Sequence, residues 1–115
     1  MQFKDVIGQA QLKKDLIREV ASNKVSHAQL FLGQFGYGTL PMALAFTQYI
    51  FCENKSETDS CGSCPSCLKT ADFQHPDLHF SFPIVLSIAK TTHHFFSDWR
   101  NQLKESAYFD LNDWI

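Results

Sequence analysis

Four cysteines, Cys52, Cys61, Cys64 and Cys67, are all the cysteines of the chain, and they stand in one short segment at C-x8-C-x2-C-x2-C spacing. A C-x-x-C turn brings two thiolates toward one point, and four such ligands complete the closed tetrahedral shell of a structural Zn²⁺, with no open position for a catalytic water. Gly62, Ser63, Pro65 and Ser66 are small turn formers, and residues 53–60 form a polar loop. So few core-forming side chains leave the metal to supply the folding free energy of this module. Two alternatives stay open on spacing alone: a pair of disulfides, which suits a secreted protein, and a redox pair of the thioredoxin type, which uses one C-x-x-C rather than two.

The second chemical feature is Gly33-Gln34-Phe35-Gly36-Tyr37-Gly38-Thr39-Leu40. In the pattern G-x-x-x-x-G-K-[ST], glycines let backbone amides wrap phosphates, the Lys neutralises their charge and the hydroxyl holds Mg²⁺. Here Gly33, Gly36 and Gly38 are in place, but Thr39 stands at the Lys position and Leu40 at the hydroxyl position. The reading is a vestigial nucleotide cradle of Gly33, Gly36, Gly38 and Thr39, able at most to receive an anion at a helix N-terminus. An ordinary glycine-rich turn between a strand and a helix is the alternative.

Elements must position these two features. Leu12, Leu16, Ile17 and Val20 recur at helical spacing and predict an amphipathic helix over residues 9–21. The apolar run 28–32 predicts a buried strand leading into the loop. Pro41 in a first turn and the apolar residues that follow predict a deeply buried helix over residues 41–51, which delivers Cys52 at its end. Residues 68–73 read as a short helix. Residues 78–82 alternate as a strand that Pro83 stops or confines to an edge. Residues 84–89 are a further apolar run, residues 94–106 a helix with Phe95, Phe96, Trp99 and Leu103 in a stripe, and residues 111–115 the start of another turn.

The chain has 115 residues, 44% of them hydrophobic, a formal net charge of −2 and a pI of about 6.2. These values fit one soluble piece and argue against a chain-wide electrostatic footprint for nucleic acid. No apolar run reaches the ~20 residues of a membrane span, and the first residues lack a signal peptide's apolar core, so the expectation is cytoplasmic, with no membrane partner. Lys13, Lys14, Arg18 and Lys24 give the first helix one basic side, interspersed with Asp15 and Glu19 as on a solvated face. His93-His94 reads as surface, because neighbours on a helix point apart, and His75 as a turn residue rather than a fifth ligand. The 11 phenylalanines fill either the domain's own core or a partner interface.

Taken in order, Phe3-Lys4-Asp5-Val6-Ile7-Gly8-Gln9, His27-Ala28-Gln29-Leu30-Phe31-Leu32-Gly33, the cysteines directly after the loop helix, and His75-Pro76-Asp77-Leu78 give the chain a resemblance. It resembles, over nearly its whole length, the bacterial DNA polymerase III clamp-loader subunits of the gamma and delta-prime family, of the AAA+ class. The resemblance implies an α/β fold: part of a P-loop NTPase domain, with a parallel sheet flanked by helices and an inserted zinc module at about residues 52–67. Gamma-type members keep an intact loop and hydrolyse ATP, whereas delta-prime members commonly have a degraded one. Thr39 and Leu40 therefore imply a delta-prime-like, non-hydrolysing stator, with structural Zn²⁺ on Cys52, Cys61, Cys64 and Cys67 and doubtful ATP binding. Implied partners are the gamma/tau and delta subunits, the sliding clamp indirectly, and primer-template DNA through the complex.

The acidic Mg²⁺ motif, first sensor and arginine finger of active relatives lie further along than residue 115. The chain is thus expected to be the N-terminal part of a longer protein, with residues 83–115 a family-divergent insertion in which Phe95, Phe96, Trp99, Trp114 and Ile115 cover a neighbouring surface. Two alternatives accompany this reading. One is a gamma-type ATPase; the other is a zinc-dependent DNA-binding or adaptor module, against which Lys55 and Lys69 are offset by Glu53, Glu57 and Asp59.

Overall fold

The computed structural model of the chain describes residues 1–34, 38–83 and 95–109. A short 3-10 helix, Phe3–Asp5, is followed by α1 (Ala10–Ala21), α2 (Thr39–Phe51), α3 (Pro65–Ala71) and α4 (Phe96–Glu105). The periodicity of α1 is realised as expected. Leu16 is buried, Ile17 and Val20 pack against the same core, and Leu12 at the edge of the stripe is 39% exposed. Its C-terminus is closed by the Ser22 amide and hydroxyl, both donating to Arg18 O, and the chain turns away through Asn23 in the left-handed region.

The hub is α2, which is apolar nearly all round and buried on two sides. On one side Met42, Ala45, Phe46 and Tyr49 join Phe3, Val6 and Leu16 in a first core. On the other, Leu44 joins Phe73, Phe82, Trp99, Leu103 and Ala107 in a second. Trp99 and Leu103, one turn apart, face inward from α4, and Phe82 stacks on Trp99 at 4.5 Å. Full burial of each such side chain stabilises the fold by roughly 1.5–3 kcal/mol, so aromatic packing carries both cores. Of the residues expected to cover a neighbouring surface, Trp99 is therefore in the chain's own core.

Neither expected strand forms among the described residues, which are helical or irregular throughout. In residues 28–32 only Phe31 turns inward, its ring 6.1 Å from that of Phe46, while Leu30 and Leu32 are 84% and 86% exposed. In residues 78–82, Phe80 and Phe82 face the core and His79 and Ser81 face solvent. The period-2 alternation thus identifies the inward side chains of residues 78–82 correctly, whereas the expected burial of residues 28–32 is not realised at Leu30 and Leu32. The backbone makes no ladder because a strand exists only through cross-strand hydrogen bonds, and neither segment meets the other or a third. The parallel sheet of the sequence reading is accordingly not seen. Gly36, residues 84–89, His93-His94 and residues 111–115, with Trp114 and Ile115, lie outside the described residues. No described helix is long and apolar enough to cross a membrane.

Candidate metal centre and glycine loop

The C-terminal end of α2 leads straight into the cysteine module. Cys52 caps the helix in an extended conformation and is 3% exposed. Pro65 then opens α3, at whose N-terminus Cys64 Sγ accepts the amide of Cys67. Gly62, at φ +76°, makes the C-x-x-C turn, and a Cβ there would lie 2.9 Å from the Gln2 amide nitrogen. The four Sγ atoms lie within 4.8 Å of one another, against the S–S spacing of about 3.8 Å that a tetrahedral zinc shell with ~2.3 Å Zn–S bonds requires.

All four are free thiols, and Cys61 Sγ stands 3.9 Å from Cys67 Sγ, far beyond the ~2.05 Å of a disulfide. Backbone amides point at the sulfurs: Asn54 and Cys61 donate to Cys52 Sγ, Ser63 and Cys64 to Cys61 Sγ, and Glu53 and Cys67 to Cys64 Sγ, at 3.2–3.4 Å. Donors aimed at sulfur offset the charge of a tetrathiolate, so the residues fit a divalent cation.

The same donors split the thiols in their titration. Amide hydrogen bonds from Ser63 and Cys64 draw Cys61 down to about 6, and the Glu53 amide lowers Cys64. Burial pushes Cys67 up to about 12. A bound cation would be needed to hold the buried Cys67 as thiolate.

Residues that sequence reasoning missed tie this module to the start of the chain. The Asp59 carboxylate accepts the amides of Phe3 and Lys4 at 2.9 and 3.1 Å, and Gln2 Nε2 donates to Ser60 O at 2.7 Å. Ser60 Oγ accepts from the buried Gln48 of α2. No local pattern marks the ties from Gln2, Phe3 and Lys4, because they join residues more than fifty apart. His75 stacks on Phe51 at 4.3 Å and accepts the Asp77 amide; it is a turn residue outside the thiol cluster. Lys13 donates to Val6 O and the exposed Arg18 pairs with Asp15 at 3.7 Å, as on a solvated helix face.

At the other end of α2, Gly38 caps the helix at φ +92°, a conformation that favours glycine. A Cβ at Gly33 would lie 2.7 Å from Thr39 Cγ2, so the loop neck closes directly on the Thr39 methyl. Leu40 packs against the second core. Beside the loop lies a groove of about 480 Å³, bordered by Gln9, Leu12, Leu30, Leu32, Gly33 and Thr39. Its one charged lining residue among those described is Glu19, which repels rather than attracts a polyphosphate.

A helical core on α2, four converging thiols at one end of that helix and a glycine-capped turn at the other define the class of protein: a small helical domain centred on a four-cysteine cluster. Residues 8–107 match the family described as DNA polymerase III, delta subunit, and the chain belongs to that family. It is 37% identical over 82 residues to DNA polymerase III subunit delta' of Bacillus subtilis, covering 71% of this chain and 25% of that protein. It is 31% identical over 65 residues to subunit gamma/tau of Mycoplasma genitalium, and 32% over 65 residues to subunit tau/gamma of Haemophilus influenzae. Each of these covers 56% of this chain, with 11% and 9% of the relative. The chain thus spans about a quarter of the delta' relative and about a tenth of the other two. No solved structure matches. The resemblance to clamp-loader subunits of the delta-prime and gamma group is borne out.

Proposed function

We propose that the chain is the N-terminal part of a non-hydrolysing, delta-prime-like subunit of the DNA polymerase III clamp loader, contributing shape rather than ATP turnover to the loading of the sliding clamp onto primed DNA. The observation that carries this reading is the pair Thr39 and Leu40 in a loop whose glycines persist. Without Lys, the charge that phosphoryl transfer relies on is missing, and Leu40 is committed to the second core. Cys52, Cys61, Cys64 and Cys67 would hold a Zn²⁺ whose contribution is structural: it ties the end of α2 to α3. In the assembled loader the partners are the gamma/tau and delta subunits, with the clamp and primer-template DNA reached through the complex, in the cytoplasm. In a complete protein the segments 28–32 and 78–82 would find the strand partners of an α/β phosphate-loop fold, and residues 83–115 would be a family-divergent insertion.

Similarity to two gamma/tau proteins favours a second reading, an ATP-hydrolysing gamma-type subunit. Isothermal titration of the full-length protein with ATP and Mg²⁺ separates the two. The expected result is no measurable heat, whereas micromolar affinity with turnover would establish the gamma-type reading.

A further inference from the structure

The thiol cluster is open on one side. Cys61 and Cys64 are partly exposed, whereas Cys52 and Cys67 are 3% and 0% exposed, so a small oxidant meets Cys61 or Cys64 first. Cys64 Sγ is committed to the cap of α3, where it accepts the Cys67 amide. Cys61 Sγ instead stands 3.9 Å from the closed-off Cys67 Sγ.

The residues just before Cys61 hold the start of the chain. Asp59 accepts the Phe3 and Lys4 amides and, at 2.8 Å, the Ser60 amide. Ser60 O accepts Gln2 Nε2, and Ser60 Oγ accepts the buried Gln48 of α2. The Cys61 amide is held on Cys52 Sγ at 3.3 Å, and Gly62 lies so close to Gln2 that a Cβ there would clash. A displacement of Cys61 is thus passed through Ser60 and Asp59 to the Phe3–Asp5 turn, whose Phe3 belongs to the first core.

We infer that the cysteine module is a peroxide-sensitive switch: Cys61 and Cys67 close into a disulfide, the metal leaves, and the N-terminal turn is released from Asp59 and Ser60. The inference rests on the structural-metal reading proposed above. The co-reactant is a hydroperoxide. The Cys61 thiolate attacks its oxygen, an S–O bond forms, the O–O bond breaks and hydroxide leaves. The Cys67 thiolate then attacks the Cys61 sulfur, an S–S bond forms, the S–O bond breaks and a second hydroxide leaves. Two protons turn the hydroxides into water, and two electrons have passed from sulfur to oxygen. Cys52 and Cys64 remain as thiols, too few for a closed tetrahedral shell.

The test treats the full-length, zinc-loaded protein with equimolar hydrogen peroxide and follows metal release with a zinc-responsive dye. Thiols still free afterwards are blocked with one alkylating reagent, and those exposed by subsequent reduction are labelled with a second. The second label is expected on Cys61 and Cys67, with zinc set free in step with it. The Phe3 and Lys4 amides are expected to exchange at least about tenfold faster, and reduction with added zinc is expected to restore their protection. A second label on any other pair overturns the assignment of Cys61 and Cys67. Zinc retained on four unoxidised thiols overturns the switch and leaves the metal reading intact. Protein that takes up no zinc when loaded overturns both. Disulfide formation and zinc loss with unchanged exchange at Phe3 and Lys4 overturns the coupling to the N-terminal turn.

Discussion

The two ends of α2 have met different fates. At the C-terminal end four thiols converge, backbone amides point at the sulfurs, and Cys52 and Cys67 are buried, an arrangement that could hold a metal ion. At the N-terminal end Gly38 caps the helix, Gly33 closes on the Thr39 methyl and Leu40 packs inward, with no charged side chain among these residues. The difference teaches that a turn held by packing tolerates apolar side chains, whereas a thiol cluster with no core of its own depends on every member.

Cys67→Ser, or a strong chelator, should produce the largest effect. One thiolate fewer opens the shell, and because structural zinc sites supply on the order of 10 kcal/mol of apparent folding free energy, the cooperative thermal melt should be lost. Elemental analysis should fall from about one metal per chain to none. Unchanged stability in metal-free protein would show that the thiol end resembles the loop end after all.

Acid probes the same site. The Cys61 thiol is held at about 6, below its ordinary value of 9.0, so the stabilisation of its thiolate is present above 9 and lost as pH falls through about 6. Protons compete with a bound cation for all four thiolates, so metal is expected to leave as the solution is acidified, to be followed with a zinc-responsive dye. Release above pH 7 would contradict the assignment.

Phe46→Ala tests the packing shared by both ends. Phe46 is 5% exposed and supports Phe31 ahead of the loop, so chemical denaturation should show a loss of about 3–5 kcal/mol. Asp59→Ala should cost less, about 1–3 kcal/mol, by leaving the Phe3 and Lys4 amides unpartnered. Amide exchange should then rise in residues 3–6 while the metal stays bound. Thr39→Lys is the smallest: a cation in the first turn of α2 opposes the helix dipole by about 0.3–1 kcal/mol, a modest fall in melting temperature, and with Leu40 packed in the second core it should not create ATP binding. A Thr39→Lys protein that binds ATP tightly would show that the loop end lacks only its charge.

Much of this was legible in the sequence. The thiol centre could be read because its ligands are local and C-x-x-C geometry needs little else. The helices followed from apolar periodicity and from Pro41 near the start of α2, but α3 begins at Pro65, three residues before its expected start, because Pro65 reads equally well as a turn former. Residues 78–82 were read correctly for which side chains turn inward, whereas the buried strand expected over residues 28–32 leaves Leu30 and Leu32 exposed, because pairing and cover depend on partners that an apolar run cannot supply. Asp59 and Tyr108 were missed because their acceptor roles exist only once distant amides, those of Phe3, Lys4 and Ile7, are brought to them.

The ties from Gln2, Phe3 and Lys4 to Asp59 and Ser60 close a loop across 55–58 positions, and this has a consequence for the order of events at the ribosome. At roughly 5–20 residues/s, the Phe3–Asp5 turn waits roughly 3–12 s for its acceptors to be synthesised. Helix α1 and the glycine loop are made within that interval, so the first core is sealed only after the polar loop of the cysteine module has emerged, and late-made residues finish the packing of early-made ones.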